Sequence, residues 1–442
     1  MACVVCSTNN ERVVMKVILS IGHGRLHLAS SAEWLARAGV GIRLICGWVP
    51  NNPNGWLVQL CSKIMGRDLS NGMAKRVITV PEVETCAMPL IDFIYQGLLL
   101  IERKLFAGRL YGDVSCAGWR FYGWGSRKYL RYGTSYKIFH CRSGAGQGGA
   151  IKEAKKYGMK VLVDQSALHP EQSEQNLRED CERWRVRVPI APHSGVWKNV
   201  LKDCEAADIL MVNANHIRDS FVDRGYNPKK IRVVYLGVRE DFRNLHSDRL
   251  KSGRRNEVFK VLFTGTFCLL KGAEYILDSL RILQDRGIRV HYDIVGSVDV
   301  PNALLAKYGI DAKNQSSVNS SITLYGPLPQ DDLKKYLADA DCYLFPSLAD
   351  GCARSGMEAL TAGLPAVSTY ESGLPIVDGE TGCVVPMKDA VAIADKIEWL
   401  IAHPEERERI GNSAAKMMRE KYTWKNYAEN VKAIYEEMLQ NV

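Results

Sequence analysis

The 442-residue sequence holds no apolar run near the ~20 residues that cross a bilayer. Its start also lacks a basic segment leading into a full apolar core. Together these absences argue against a membrane-spanning chain and a secretory leader, and favour a soluble protein. No internal repeat or low-complexity tract breaks the pattern. A dinucleotide fingerprint is missing too. The first glycine turn reads Gly22-His23-Gly24-Arg25 rather than Gly-x-Gly-x-x-Gly, and the next strand ends RLICGWVPNN, with no acid to hold a ribose. That disfavours a dehydrogenase. Acidic residues are in deficit, 49 against 58 Lys and Arg, and the formal charge of +9 suits an acidic partner such as phosphate, nucleotide or an anionic membrane surface. No nucleic-acid partner is expected. The 13 cysteines are scattered singly, as in the reducing cytosol, and point to a cytoplasmic protein. Cys3 and Cys6 form one CxxC with nothing nearby to complete a zinc site.

The sequence RVVMKVILSIGHGRLHLASSAEWLARAGVGIRLICG reads as strand, glycine turn, amphipathic helix ending at Gly39, and strand. Further strands are expected at YKIFHC, KVLVDQ, ADILMVNA and IRVVYLG, alternating with helices, which predicts a parallel sheet. The polar, basic stretch 243–257 lacks an apolar period and is read as a linker. After it the pattern restarts with FKVLFTGTF and continues through RVHYDIVG, ITLYGPL and CYLFPS, each joined by helical sequence. The expectation is α/β: two Rossmann-like, doubly wound parallel-sheet domains, 1–242 and 258–422, facing a cleft. Residues 423–442 are expected to form a helix that packs back on the first domain.

Three stretches carry candidate chemistry. At Gly22-His23-Gly24-Arg25 the backbone can approach a ligand at a helix N-terminus, though a plain tight turn explains the same residues. In FTGTFCLLKG the strand ends at Gly265 and Thr266, and Lys271 precedes a helix, where a cation suits phosphate. A solvated surface lysine is the plain alternative. In PSLADGCARSGMEALTAGLPAVST, Asp350 and Glu358 flank amides at Cys352, Ala353 and Arg354. If 351–358 is helical, the two carboxylates stand roughly 12 Å apart, suited to hydroxyls at opposite ends of a nucleoside diphosphate sugar. His169, after KVLVDQ, either positions an acceptor or serves structure, and His140 is read as structural. Asp339 and Asp341 form a DxD at a helix-to-strand junction, the wrong place for a metal, so no metal is expected.

The stretch from FTGTFCLLKGAEYILDSL through LYGPLPQ to DGETGCVVPMKDAVAIADKIEWL resembles the retaining group 1 glycosyltransferases of the GT-B fold, family four of the sugar transferases. The resemblance implies that Lys271 binds the donor diphosphate, Glu358 the ribose, Asp350 the sugar, and Gly326-Pro327-Leu328 the base. The sequence departs from that pattern at three places: Asp350 replaces the usual Glu, Cys352-Ala353 the usual Phe-Gly, and Thr266 a frequent arginine. The first half, with GRLHLASSAEWLARAG and VLVDQSALHP, looks like the subgroup that builds cell-surface polysaccharides. The implied reaction moves a sugar from a nucleoside diphosphate donor to an acceptor hydroxyl with retention, without cofactor or metal. A non-catalytic nucleotide-sugar-binding protein is the alternative. The acceptor is expected to be a saccharide, free or lipid-linked. Two segments, MPLIDFIYQGLLLIERKLF at 88–106 and WRFYGWGSRKYLRYG at 119–133, mix apolar and basic residues and suit peripheral membrane contact, or else ordinary core packing.

Overall fold

Short runs rich in Val, Ile and Leu form the strands of the first sheet, and most are buried on both faces, as parallel strands covered by helices must be. The computed structural model describes residues 15–440, apart from 25–26, 67, 75, 78–79, 107, 132–134, 191, 193–194, 253–256, 311–317 and 320. The strands are β1 (Lys16–Ser20), β2 (Gly41–Cys46), β3 (Val83–Ala87), β4 (Ile138–Arg142), β5 (Lys160–Gln165), β6 (Ile209–Val212) and β7 (Ile231–Val233). Their order is β3-β2-β1-β4-β5-β6-β7. Pairing of β1 with β2 and β4, of β2 with β3, and of β4 with β5 is parallel. The sequence reading missed β3, an edge strand with only Val83 buried. Its sequence, VETCA, has no apolar run to give it away.

The second sheet repeats the scheme with β8 (Phe259–Thr264), β10 (Val290–Val295), β12 (Val318–Asn319), β13 (Ile322–Gly326), β14 (Cys342–Phe345), β15 (Ala366–Ser368) and β16 (Cys383–Val384). A separate two-stranded ladder joins β9 (Phe267–Cys268) to β11 (Val298–Asp299). The order is β12-β13-β10-β8-β14-β15-β16, parallel except for the short β12. The helix Ala273–Asp285 buries Tyr275, Ile276, Leu277, Leu280 and Leu283, the face its 3.6-residue period dictates. Three helices follow at Ala390–Ala402, Pro404–Lys421 and Trp424–Gln440.

The chain divides into two compact units. One comprises residues 1–164, 194–210 and 428–442, the other 165–193 and 211–427. Within the first, Tyr435 of the last helix lies 2.6 Å by its hydroxyl from Nδ1 of buried His140, so His140 has a structural partner. Within the second, the stretch read as a linker begins as a helix, Arg243–Ser252. Buried Phe242 and His246 anchor it, His246 through Nε2 at 2.8 Å from Asn412 Oδ1. Two fixed points suffice to order a helix that lacks an apolar period.

One helix of the first unit runs against the usual rule. Pro89–Leu105 buries Asp92 and Glu102, each 3% exposed, together with Tyr95. Outward it shows Leu90 (70% exposed), Ile94, Leu98, Ile101 and Leu105 (73%). The buried carboxylates have partners. Asp92 accepts from the Trp48 amide and Arg76, at 2.9 and 3.0 Å, and Glu102 accepts from the Leu110 amide at 2.9 Å. The nearby helix Trp56–Met65 buries only Val58 and leaves Trp56, Leu60 and Ile64 exposed.

Candidate functional site

The carboxyl ends of β13, β10, β8 and β14 lie side by side in the second sheet, and most of the residues singled out from the sequence fall there. Gly326 ends β13 and its carbonyl accepts from the Gly296 amide at 2.8 Å. Gly296 in turn lies so close to Gly265, after β8, that a Cβ on it would stand 1.9 Å from the Gly265 carbonyl. Thr266 is exposed and accepts a hydrogen bond from the Ser297 hydroxyl at 3.1 Å. Pro327 is exposed and Leu328 part-buried. The result is a bare backbone rim, with Gly296 a member that sequence reasoning missed.

Lys271 closes a short 3-10 turn, Leu269–Lys271. Two bonds tie this turn to the end of β14: the Leu348 amide and the Ser347 hydroxyl both donate to the Leu270 carbonyl, at 2.9 and 3.0 Å. Gly272 must be glycine, since it has φ of 76° and a Cβ would meet the Pro346 carbonyl at 2.2 Å. This junction brings two of the sequence candidates together, and Lys271 Nζ forms an ion pair with the Asp350 carboxylate. The ammonium also lies 5.5 Å from the centre of the Phe345 ring. Asp350 is fixed from behind: its carbonyl accepts from His216 Nε2 at 2.9 Å and its amide donates to the Glu371 carbonyl at 3.0 Å.

The helix after Asp350 starts later than expected. Residues 351–353 are not helical, and the helix runs Arg354–Thr361. The reason is a pairing with the 370–373 turn, where the Ala353 amide donates to the Ser372 carbonyl at 3.2 Å. That N–H is therefore committed within the protein, which corrects the idea of three free amides, and the roughly 12 Å spacing built on a helix from 351 does not apply. The side chains of Cys352 and Ala353 are buried, and burial pushes the Cys352 thiol up to about 12. Arg354 is exposed. Ser355 Oγ donates to the Thr264 carbonyl at 3.1 Å and lies 2.9 Å from the Tyr343 hydroxyl, which docks the helix start on β8 and β14.

One turn further along that helix, Glu358 is part-buried. Among the described residues no group hydrogen-bonds its carboxylate. Burial pushes it up to about 7, against the pull of Arg354 and Arg239. It lines a small pocket with Gly237, Val238, Arg239, Arg354 and Met357. Sequence reasoning missed Gly237-Val238-Arg239, whose signal is a Gly-Val-Arg that begins four residues after the end of β7. Arg239 pairs with Asp241 at 2.7 Å and with Gln330.

The remaining candidates have surroundings of their own. His169 is buried. Its Nδ1 accepts from the Glu171 amide at 3.4 Å at the start of the helix Pro170–Arg183, and Phe221 and Tyr226 meet the ring edge-on. That is the post of a helix cap. Gly22 has φ of 79°, and the space beside it is filled by Trp119 rather than left for a ligand. Gly24 has open space beside it, and Arg25 lies outside the described residues, as do Cys3 and Cys6. Asp339 pairs with Lys260, and Asp341 accepts from the Lys260 amide at 2.9 Å, so both brace the strand junction.

Residues 246–417, which include Lys271, Asp350 and Glu358, match the family of glycosyl transferases group 1. The chain is similar to the D-inositol 3-phosphate glycosyltransferase of Corynebacterium glutamicum (strain R), 28% identical over 53% of this chain and 58% of that one. It is also similar to the amylovoran biosynthesis glycosyltransferase AmsK of Erwinia amylovora, 30% identical over 42% of this chain and 46% of that one. The chain spans about half the length of these curated relatives. Among solved structures, the sucrose-phosphate synthase of Thermosynechococcus elongatus superimposes with a TM-score of 0.65 at 16% identity, covering 97% of this chain and all of that one. The fold is GT-B, with two parallel-sheet α/β domains. No helix among the described residues is long and apolar enough to cross a membrane.

Proposed function

We propose that the protein is a retaining, metal-independent glycosyltransferase that moves a sugar from a nucleoside diphosphate donor to a saccharide hydroxyl during cell-surface polysaccharide assembly. The observation that carries this is Glu358. A part-buried carboxylate with no hydrogen-bond donor among the described residues is costly to hold, and ligand hydroxyls would supply the missing donors. Lys271, beside the Gly265 and Gly296 rim, provides the charge that a leaving diphosphate needs as the glycosidic bond to the donor breaks. Asp350, paired with Lys271 in the free protein, would exchange that partner for sugar hydroxyls when the phosphate arrives. The relatives named for amylovoran and inositol phosphate chemistry support a saccharide or polyol acceptor.

The exposed apolar stripe on Pro89–Leu105 extends the reading to an acceptor presented at an anionic membrane surface. Exposed Arg103, Lys104 and Arg109 stand at the end of the stripe, and each basic group near such a surface contributes about 1 kcal/mol. Donor turnover tests the reading. A panel of nucleotide sugars should yield released nucleotide with one donor, undiminished by EDTA, and Lys271→Ala and Glu358→Ala should each lower turnover at least about a hundredfold. Donor binding without turnover on any acceptor would make the protein a sugar-nucleotide binder instead. Loss of activity with EDTA that metal restores would end the metal-free mechanism.

A further inference from the structure

The first unit holds a cation that the donor chemistry does not use. Arg142 ends β4, and among the described residues its guanidinium makes no hydrogen bond or ion pair. Its Cζ lies 5.0 Å from the centre of the Trp119 ring. That ring also fills the space beside Gly22, after β1, and contacts the position beside Gly144, after β4, so a Cβ there would stand 2.4 and 3.7 Å from it. Arg142 therefore sits where the carboxyl-end turns of two neighbouring central strands meet, the place where parallel sheets bind ligands. The nearby carboxylates are already taken. Asp164 accepts from His27 Nε2 at 2.9 Å, and Asp92 holds His23 and Arg76, at 3.1 and 3.0 Å. Burial pushes Arg142 down to about 10, with the charge of Asp164 pulling only part of the way back.

We propose that Arg142, seated on Trp119, binds a phosphate group carried by the acceptor. The planar guanidinium offers two parallel N–H donors that match two phosphate oxygens, while the indole face holds the fork in one plane. An acceptor of this class is a saccharide bearing a phosphate or diphosphate, either free in water or attached to a lipid. The proposal rests on the transferase reading only in taking this unit as the acceptor side.

The test uses the full chain with inorganic pyrophosphate as probe, measured by calorimetry at fixed low salt. A Lys271→Ala background removes the donor phosphate contact, so that the remaining binding reports the first unit. Adding Arg142→Gln should weaken that remaining binding by about ten- to a hundredfold, the value of a charge-assisted hydrogen bond. Unchanged binding overturns the proposal. If the Gln variant does not fold, Arg142→Lys carries the test, since it keeps the charge and loses the fork and should still weaken binding several-fold. Two competitors then separate the sources: a soluble hexose 1-phosphate, and neutral phosphatidylcholine vesicles containing a polyprenyl diphosphate. The one that displaces pyrophosphate in an Arg142-dependent way names the acceptor class, and displacement by neither overturns the proposal, as does equal displacement by glucuronate. Lys271→Ala with full donor turnover would sink the donor site while leaving Arg142-dependent binding intact, so the two ideas fail separately.

Discussion

The helices Pro89–Leu105 and Ala273–Asp285 both gather their large aliphatic residues on one face, and they turn that face in opposite directions. In Ala273–Asp285 the apolar side is sealed, with Ile276 and Leu283 at 0% exposure. In Pro89–Leu105 the sealed side carries Asp92 and Glu102, and the leucines meet solvent. A periodic pattern thus declares that a helix has an apolar face without saying what covers it. The inward helix stabilises its sheet. The outward one is held by buried Tyr95, packed against Gly118, and by carboxylates whose partners are in place, and its apolar face is left available to a partner or a surface.

Substituting the matching residue on each helix sharpens the contrast most strongly. Leu277→Ala should cost about 2–5 kcal/mol in urea unfolding, because it opens a cavity in a packed face. Leu98→Ser should change stability by no more than about 0.5 kcal/mol. The same Leu98→Ser should weaken sedimentation with anionic vesicles by about tenfold, the worth of one buried leucine, and added salt should weaken it further. Equal losses of stability at the two positions would erase the distinction. Unchanged vesicle binding would leave the stripe without a membrane role.

Glu358 provides a contrast within the second unit, where nearly every other charge near the site has a partner. Its folded value of about 7 stands above the ordinary 4.5, so in that window the native state holds a proton that the unfolded chain releases. Stability therefore falls as pH rises from about 5 to 7 and is flat below. Glu358→Gln removes this loss and should leave the variant more stable than the parent by about 1–3 kcal/mol at pH 8, with little difference at pH 4.5. The same variant should bind the donor poorly. A parent and variant whose stabilities run parallel across pH would show that the carboxylate is not strained in the free protein.

What could be read from the sequence followed from how local each cause is. The central strands of both sheets are self-declaring apolar runs, and Lys271 stands out because Gly272 behind it marks a turn. β3 does not declare itself, since an edge strand needs no apolar run. The late helix start at Arg354 depends on Ser372, 18 residues further along the chain. The seating of the Arg142 guanidinium, at the end of β4, depends on Trp119, from the helix Tyr111–Arg131. Contacts of this kind have no period and no motif, so residue types alone could nominate Asp350 and Glu358 but not reveal that, among the described residues, one is paired and the other is not.

His169 is the sequence candidate whose surroundings serve a helix start, and it carries the smallest expected effect. A histidine after a parallel strand lies where acceptor chemistry is expected, yet its Nδ1 faces the Glu171 amide and its own amide donates to the Ser220 hydroxyl at 3.1 Å. A cap acceptor of this kind is worth about 1 kcal/mol. His169→Asn retains a side-chain acceptor at the same place, so it should fold with little loss, while His169→Ala should lose about 1–2 kcal/mol from the missing cap and the emptied contact with Phe221. In both variants kcat should remain within about threefold of the parent, and the pH profile of kcat should keep its shape, since a proton carrier is worth about a hundredfold or more. A large fall in kcat in both, with a changed shape of the pH profile, would return His169 to the catalytic group and require the ring to leave its post on the helix when acceptor binds.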